Sequence, residues 1–191
     1  MQGKYDPRKS MDAVRPEYQT DKYYDALVEV AEKRYLPYAH LFGVVGYGNH
    51  ETAVRSKVNT DLVQRFVSDL RRNGSQCEVG GYLGWVSFRF TIRKTVRHTK
   101  TLLYFHGSGG GGPVTRGAIQ TNRMAVNYPD ADVVMSGHTH DNWIIPIKRQ
   151  RIGQSGVPYQ DLAYHVRTPT YKDEYDSGVG WAIEKGLNPK P

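Results

Sequence analysis

Three short segments gather residue types that bind metal ions: Gly48-Asn49-His50-Glu51, His106-Gly107 and Gly137-His138-Thr139-His140. Imidazole is the commonest neutral metal ligand and suits zinc, iron and manganese. The amide oxygen of Asn49 is a hard acceptor that can complete such a site. If His138-x-His140 is extended, Thr139 points away and both rings reach one pocket. Glycines before Asn49, after His106 and before His138 allow tight turns and close backbone approach. Single histidines such as His40, His98 and His165 are, in the ordinary case, structural or simply exposed.

The elements that must position these segments follow from periodicity. Residues 1–20 are charged, carry Pro7 and Pro16, and read as a loop. A helix is expected from Asp21, as its cap, to about Tyr35, where Pro37 forbids continuation. Leu41 to Val45 reads as a short buried strand that empties into Gly46–Glu51. A second helix is expected over Asp61–Arg72, with Thr60 as N-cap and Gly74 as stop. Residues 85–92 alternate, with Val86, Phe88, Phe90 and Ile92 on one side, as a half-buried strand does. A basic turn, Arg93 to Lys100, then leads to a strand over Thr101–Phe105 that ends at His106. Ala118–Tyr128 reads as a helix stopped by Pro129, and Asp132–Ser136 as a strand running into Gly137. Further strands are expected around Trp143–Ile147, Leu162–Val166 and Trp181–Ile183. No internal repeat is visible. Helices mixed with a hairpin and short buried strands predict an α/β fold with a mixed sheet, in which ligand sites gather where strands end.

Length and composition bound the alternatives. The 191 residues make one domain. Apolar residues are 38% and charged residues 24%, with 14 Tyr against 5 Phe. That balance excludes collagen, coiled coil and a polytopic membrane protein, and aromatics this plentiful argue against wholesale disorder. The single cysteine, Cys77, forms no internal disulfide, which fits a reducing compartment and a cytoplasmic location. Met1 to Ser10 carries no apolar core of a secretory signal, and no run is long enough to span a bilayer, so no membrane partner is expected. A net charge of +7 biases the chain toward acidic partners such as phosphate esters or nucleic acid.

The ordered motifs resemble the calcineurin-like metallophosphoesterases, whose pattern is Asp-x-His, Gly-Asp-x-x-Asp, Gly-Asn-His-Asp/Glu, a lone His often followed by Gly, then Gly-His-x-His. Gly48-Asn49-His50-Glu51, His106-Gly107 and Gly137-His138-Thr139-His140 match the last three in order, over about residues 41–140. The stretches Gly109–Thr115 and Pro169–Tyr175 look like those of phage-type members. The resemblance implies a sandwich of mixed β-sheets flanked by helices, and a hydrolase cleaving phosphate mono- or diesters with a metal-activated water. It implies a site for divalent Mn, Fe or Zn ions, dinuclear in the family. Asn49, His106 and His138 would hold the second metal and His140 the first, while His50 would assist the leaving group. Glu51 would either orient His50 or, as favoured here, cap the following helix. Location in the host cytoplasm is implied if the chain is phage-encoded.

The first two motifs have no counterpart. The sequence holds no Gly-Asp pair and no Asp-x-His. In the family these supply most ligands of the first metal and the bridging aspartate. The chain is therefore expected to be an N-terminally shortened form of the domain, or a degenerate member, with little activity of its own. Two further readings stand beside the phosphoesterase: a nuclease acting on nucleic-acid phosphodiesters, and a non-catalytic binding module that retains half a metal site.

Other segments carry less. Gly107–Gly112 lacks the Gly-Lys-Ser/Thr ending of a phosphate-binding P-loop and reads as a pocket rim or a linker. No Gly-x-Ser-x-Gly of an α/β-hydrolase is present. Two basic groups, Arg89, Arg93, Lys94, Arg97 and Lys100, then Lys148, Arg149 and Arg151, can either grip a nucleic-acid backbone or form solvated faces. Trp85, Trp143 and Trp181 are expected to pack rather than to stack on bases.

Overall fold

Helix α1 spans Tyr23–Tyr35 in the computed structural model, which describes residues 15–110, 114–115, 117–170, 178, 181–184 and 186. Most of the loop expected over residues 1–20 lies outside the described residues, as do parts of the two stretches compared with phage-type members. Asp21 is not the cap of α1. Lys22 occupies that position, and the Thr20 hydroxyl accepts from its backbone N–H at 3.1 Å. The chain divides into two units, one running to Tyr82 and one starting at Leu83.

In the first unit a 3-10 segment, Leu36–Leu41, takes the place of the early part of the strand expected over 41–45. Strand β1 is only Val44–Val45, and it pairs in parallel with β2, Glu78–Val79. The segment read as a strand-end loop at Asn49 is instead the first turn of a helix, α2, Asn49–Val58. Its start is fixed by Glu51, whose carboxylate accepts from the Gly48 N–H at 2.9 Å, and this is the capping role expected of that residue. Helix α3, Leu62–Arg72, begins one residue later than expected, because Asp61 rather than Thr60 accepts from the Gln64 N–H. The other Asp61 oxygen accepts from the Tyr47 hydroxyl at 2.7 Å. Gly74, at φ +85°, follows the end of α3. Val63, Val67 and Leu70 on α3 pack with Ala39 and Cys77, and Val28, Val54 and Leu62 join α1, α2 and α3.

The second unit is a five-stranded mixed sheet in the order β3-β4-β5-β7-β6. Strand β3 is Leu83–Arg93, β4 Val96–Phe105, β5 Val133–Ser136, β6 Trp143–Ile152 and β7 Pro158–Arg167. The central strands β4, β5 and β7 run parallel, and the outer strands β3 and β6 are antiparallel to their neighbours. Helix α4, Ala118–Asn127, supplies Met124 to a core of Leu103, Ala131 and Val134. The chain is thus mixed α/β with a mixed sheet, as expected.

Three expectations are corrected in this unit. The basic turn over Arg93–Lys100 is mostly strand: β4 already starts at Val96. The alternation over 85–92 marks a strand, but beyond Val86 it is exposed on both sides rather than half-buried, because only Leu102–Phe105 of β4 meets β5. Trp181–Ile183 belongs to a short helix, α5, Trp181–Glu184, not to a strand. Among the described residues no helix is long and apolar enough to cross a membrane.

Of the three single histidines, His40 and His98 are exposed, whereas His165 is 3% exposed in the middle of the sheet. Burial, and then the nearby Arg149 cation, hold its imidazole below the usual histidine range. A histidine that stays neutral when folded but binds a proton when unfolded stabilises the fold above its unfolded pKa, and that stability is lost as pH falls. Stability followed by chemical denaturation should therefore decline as pH drops below about 6.5. His165→Gln should decline less over the interval above about pH 5, before the carboxylates titrate. Parallel decline of both proteins would assign the effect elsewhere.

Candidate functional site

The parallel register of β4, β5 and β7 decides what meets at one edge of the sheet. Phe105 pairs with Ser136, and Ser136 with Arg167. The next residues along are therefore His106, Gly137 and Thr168. Pairing continues past the strand ends: Gly137 N–H donates to the His106 carbonyl at 3.0 Å, and Thr168 N–H to the Ser136 carbonyl at 2.8 Å. The two loops are so close that a side chain at Gly107 has no room. Gly107 sits at φ +108°, and a Cβ there would lie 2.5 Å from the Gly137 carbonyl oxygen.

This closeness brings two of the expected ligands together. His138 Nδ1 and His106 Nε2 are 3.3 Å apart, with the rings inclined at 65°. Two nitrogens bound at 2.0–2.1 Å to one tetrahedral ion stand about 3.3 Å from each other. The contact also has the geometry of a ring–ring hydrogen bond, one imidazole N–H facing the other's lone pair, so the spacing suits either that bond or a shared ion.

The His138 loop is not extended, so the expected route by which His138 and His140 would share a pocket does not hold. His138 lies at φ +71°, and Thr139 N–H donates to the Gly137 carbonyl across it at 2.9 Å. That is the positive-φ γ-turn, a rare and strained form. His140 is also left-handed, at φ +61°. Two non-glycine residues in this region within three positions mark a backbone held against its preference, as functional loops often are. Among the described residues no three His, Cys, Asp or Glu side chains form a metal-holding group, so His140 does not complete one with His106 and His138.

A buried cation supports the loop. Arg167 is 1% exposed, donates from Nη1 to the Gly137 carbonyl at 2.7 Å and from Nη2 to Gln120 Oε1 at 2.9 Å, and lies over the Trp143 ring. Its Nε is buried without a hydrogen-bond partner among the described residues. Burial lowers the Arg167 pKa, opposed by the Asp141 carboxylate. Burial, then the Arg167 charge, holds His138 below the usual histidine range, and the neutral ring is the form that binds metal. No pattern in the sequence marks Arg167, Gln120 or Trp143 as site residues. The only available signal was a cation placed directly after an apolar strand.

The remaining expected residues lie in the first unit. Asn49 is half-buried and His50 exposed, both on the first turn of α2. The second basic group is largely structural. Arg149 makes a bidentate pair with Asp161 at 2.8 Å and also donates to the carbonyls of Pro129 and Ala131, while Arg151 pairs with Asp130. Trp143 packs beneath Arg167, and Trp85 meets Tyr128 edge-on, as packing residues do.

No protein-family model, curated protein or solved structure matches the chain.

Gly107 and Gly109, both in the loop after β4, should differ sharply in tolerance. Gly109 is also left-handed, but a Cβ there meets nothing within 4 Å. Gly109→Ala should cost about 1 kcal/mol for its backbone conformation alone. Gly107→Ala should cost more, about 3 kcal/mol, because the His138 loop must also move. Equal denaturation midpoints would show that the two loops are not locked together.

Proposed function

We propose that the protein is a metal-dependent phosphoesterase of the calcineurin-like kind, acting on phosphate mono- or diesters. The observation that carries the reading is the His106–His138 pair, set at ligand spacing by two loops that leave adjacent parallel strands. The motif order adds to it. The metallophosphoesterase sandwich, the roles of Asn49, His50 and His140, and the identity of the ion as Mn, Fe or Zn belong to the proposal through the motifs alone.

The donor chemistry fits a divalent ion. Both nitrogens are imidazole, and the shifted His138 favours the neutral form at physiological pH. A divalent ion, when bound, supplies Lewis acidity and an acidified water. His106 and His138 would hold it, and the γ-turn at His138 fixes the direction of one lone pair. The Arg167 contact to Gly137 keeps that turn in place. Neutral ligands leave the charge of the ion uncompensated, so affinity falls below that of sites with carboxylates. An anionic phosphate ester would offset that charge.

A second reading, a module that binds metal without turnover, is favoured by the neutrality of the two ligands that meet, His106 and His138. Titration calorimetry with Mn and Zn should show binding to the native chain. His138→Ala should abolish it, and His98→Ala should leave it intact. Equal effects of the two substitutions would sink the ligand assignment. Hydrolysis of p-nitrophenyl phosphate and its bis ester then separates the two readings. Slow metal-dependent release of nitrophenol, lost in His138→Ala, supports the enzyme. Binding without release leaves the module.

A further inference from the structure

Among the described residues, the outer part of the β3–β4 ribbon is exposed on both faces. Every residue from Ser87 to Lys100 is exposed. Phe88, Phe90 and Ile92 remain 46%, 51% and 63% exposed, although they are spaced to share one face. Arg89, Thr91 and Arg93 alternate with them, and Arg97 and Thr99 stand opposite Thr91 and Arg89 on β4. Residues 83–105 contain five Lys or Arg and no Asp or Glu. Lys100 is paired with Asp132, but among the described residues no carboxylate pairs with Arg89, Arg93, Lys94 or Arg97. The ribbon therefore differs from the second basic group, whose arginines are neutralised by Asp130 and Asp161.

We propose that this ribbon is a binding arm for single-stranded nucleic acid. Four unneutralised cations on a narrow ribbon call for a polyanion, and like charge opposes pairing with a second copy of the same arm. The exposed rings specify which polyanion. Phe88 and Phe90 lie in nearly parallel planes, 20° apart, with centroids separated by 6.4 Å. Exposed, nearly parallel ring faces of this kind are surfaces on which unpaired bases can stack. Sequence-tolerant binding of single strands combines such stacking surfaces with cations along the backbone; here Arg89 and Arg97 lie on the face opposite the rings, so a strand would pass over the free edge of β3, with bases on one face and phosphates toward the other. A duplex keeps its base faces covered and so offers nothing for the rings to stack on. His106 follows the opposite end of β4, ten residues and about 33 Å along the strand from Val96 at the tip. The arm is thus separate from the histidine pair and does not depend on the phosphoesterase reading.

The experiment is fluorescence anisotropy with a labelled oligothymidine 20-mer in chelator-containing buffer, which removes any metal-bound contribution. The same titration uses a 20-base-pair duplex, and vesicles of phosphatidylserine and phosphatidylcholine are tested by sedimentation. Three outcomes are expected together. The single strand should bind at least tenfold tighter than the duplex. The double variant Phe88→Ala/Phe90→Ala should weaken binding at least tenfold with the salt dependence unchanged. The triple variant Arg89→Gln/Arg93→Gln/Arg97→Gln should lower the log–log salt slope by about two. Because the two variants change different chemistry at exposed positions, a folding defect in one leaves the other to decide. Equal binding of single strand and duplex would overturn the proposal. So would binding to vesicles but not to the oligonucleotide, native affinity in the phenylalanine variant, or no binding at low salt.

Discussion

The parallel pairing of β4, β5 and β7 is the constraint on which the candidate site depends. Three strands in parallel register release their chains at one edge, and here the register places Phe105, Ser136 and Arg167 side by side. The loops that follow continue the ladder for one more hydrogen bond each, so their backbones lie at strand spacing. At that distance there is room for imidazoles to meet but not for a side chain between them. Gly107 is therefore as much a part of the site as either histidine. An antiparallel arrangement of the same strands would send the His106 and His138 loops to opposite edges.

Holding the His138 turn in a strained conformation requires something rigid behind it. Arg167 serves this purpose because a buried guanidinium has few alternatives: leaving its carbonyl and amide partners would strand a charge in the interior. Its position beside His138 also shapes the chemistry. A fixed positive charge disfavours the imidazolium and disfavours a metal ion by the same sign. A pair of neutral ligands beside an arginine is thus balanced only when an anion is present. In the proposed reading, a phosphate ester is the natural source of that negative charge. The site would then bind metal and substrate cooperatively rather than hold metal tightly alone.

Much of this was legible in the sequence, and the failures have physical causes. Helices α3 and α4 and strand β5 were readable because each follows one period and ends at a strong signal such as Gly74 or Pro129. The start of α2 is legible only in Glu51, three residues after Gly48 in a helix-start pattern; the ligand types of Gly48–Glu51 point instead to a strand-end loop, and they are silent on the helix that follows. The His138-x-His140 spacing says which residues share a face only if the backbone is extended, and a γ-turn breaks that inference. Arg167 was invisible because nothing local distinguishes a buried cation from a surface one. Its partners Gln120 and Gly137 are 47 and 30 positions away.

The same distinction applies to the net charge of +7. Counted along the chain, the two basic groups look alike. In three dimensions they are opposites. Arg149 and Arg151 are tied to Asp161 and Asp130, and Arg149 also anchors the turn after α4 through the Pro129 and Ala131 carbonyls. Removing Arg149 would leave the half-buried Asp161 without its bidentate partner, which is how a structural ion pair behaves. The β3–β4 ribbon has no such obligations. Apart from Lys100, which pairs with Asp132, its cations meet no acid among the described residues, and its outer rings stay exposed at a cost in apolar surface. An edge ribbon that carries charge is protected from pairing with other sheets. Charge alone would meet that need, however, and the parallel phenylalanines would then be only a liability. Their presence on the same ribbon is what separates a binding surface from a merely soluble edge.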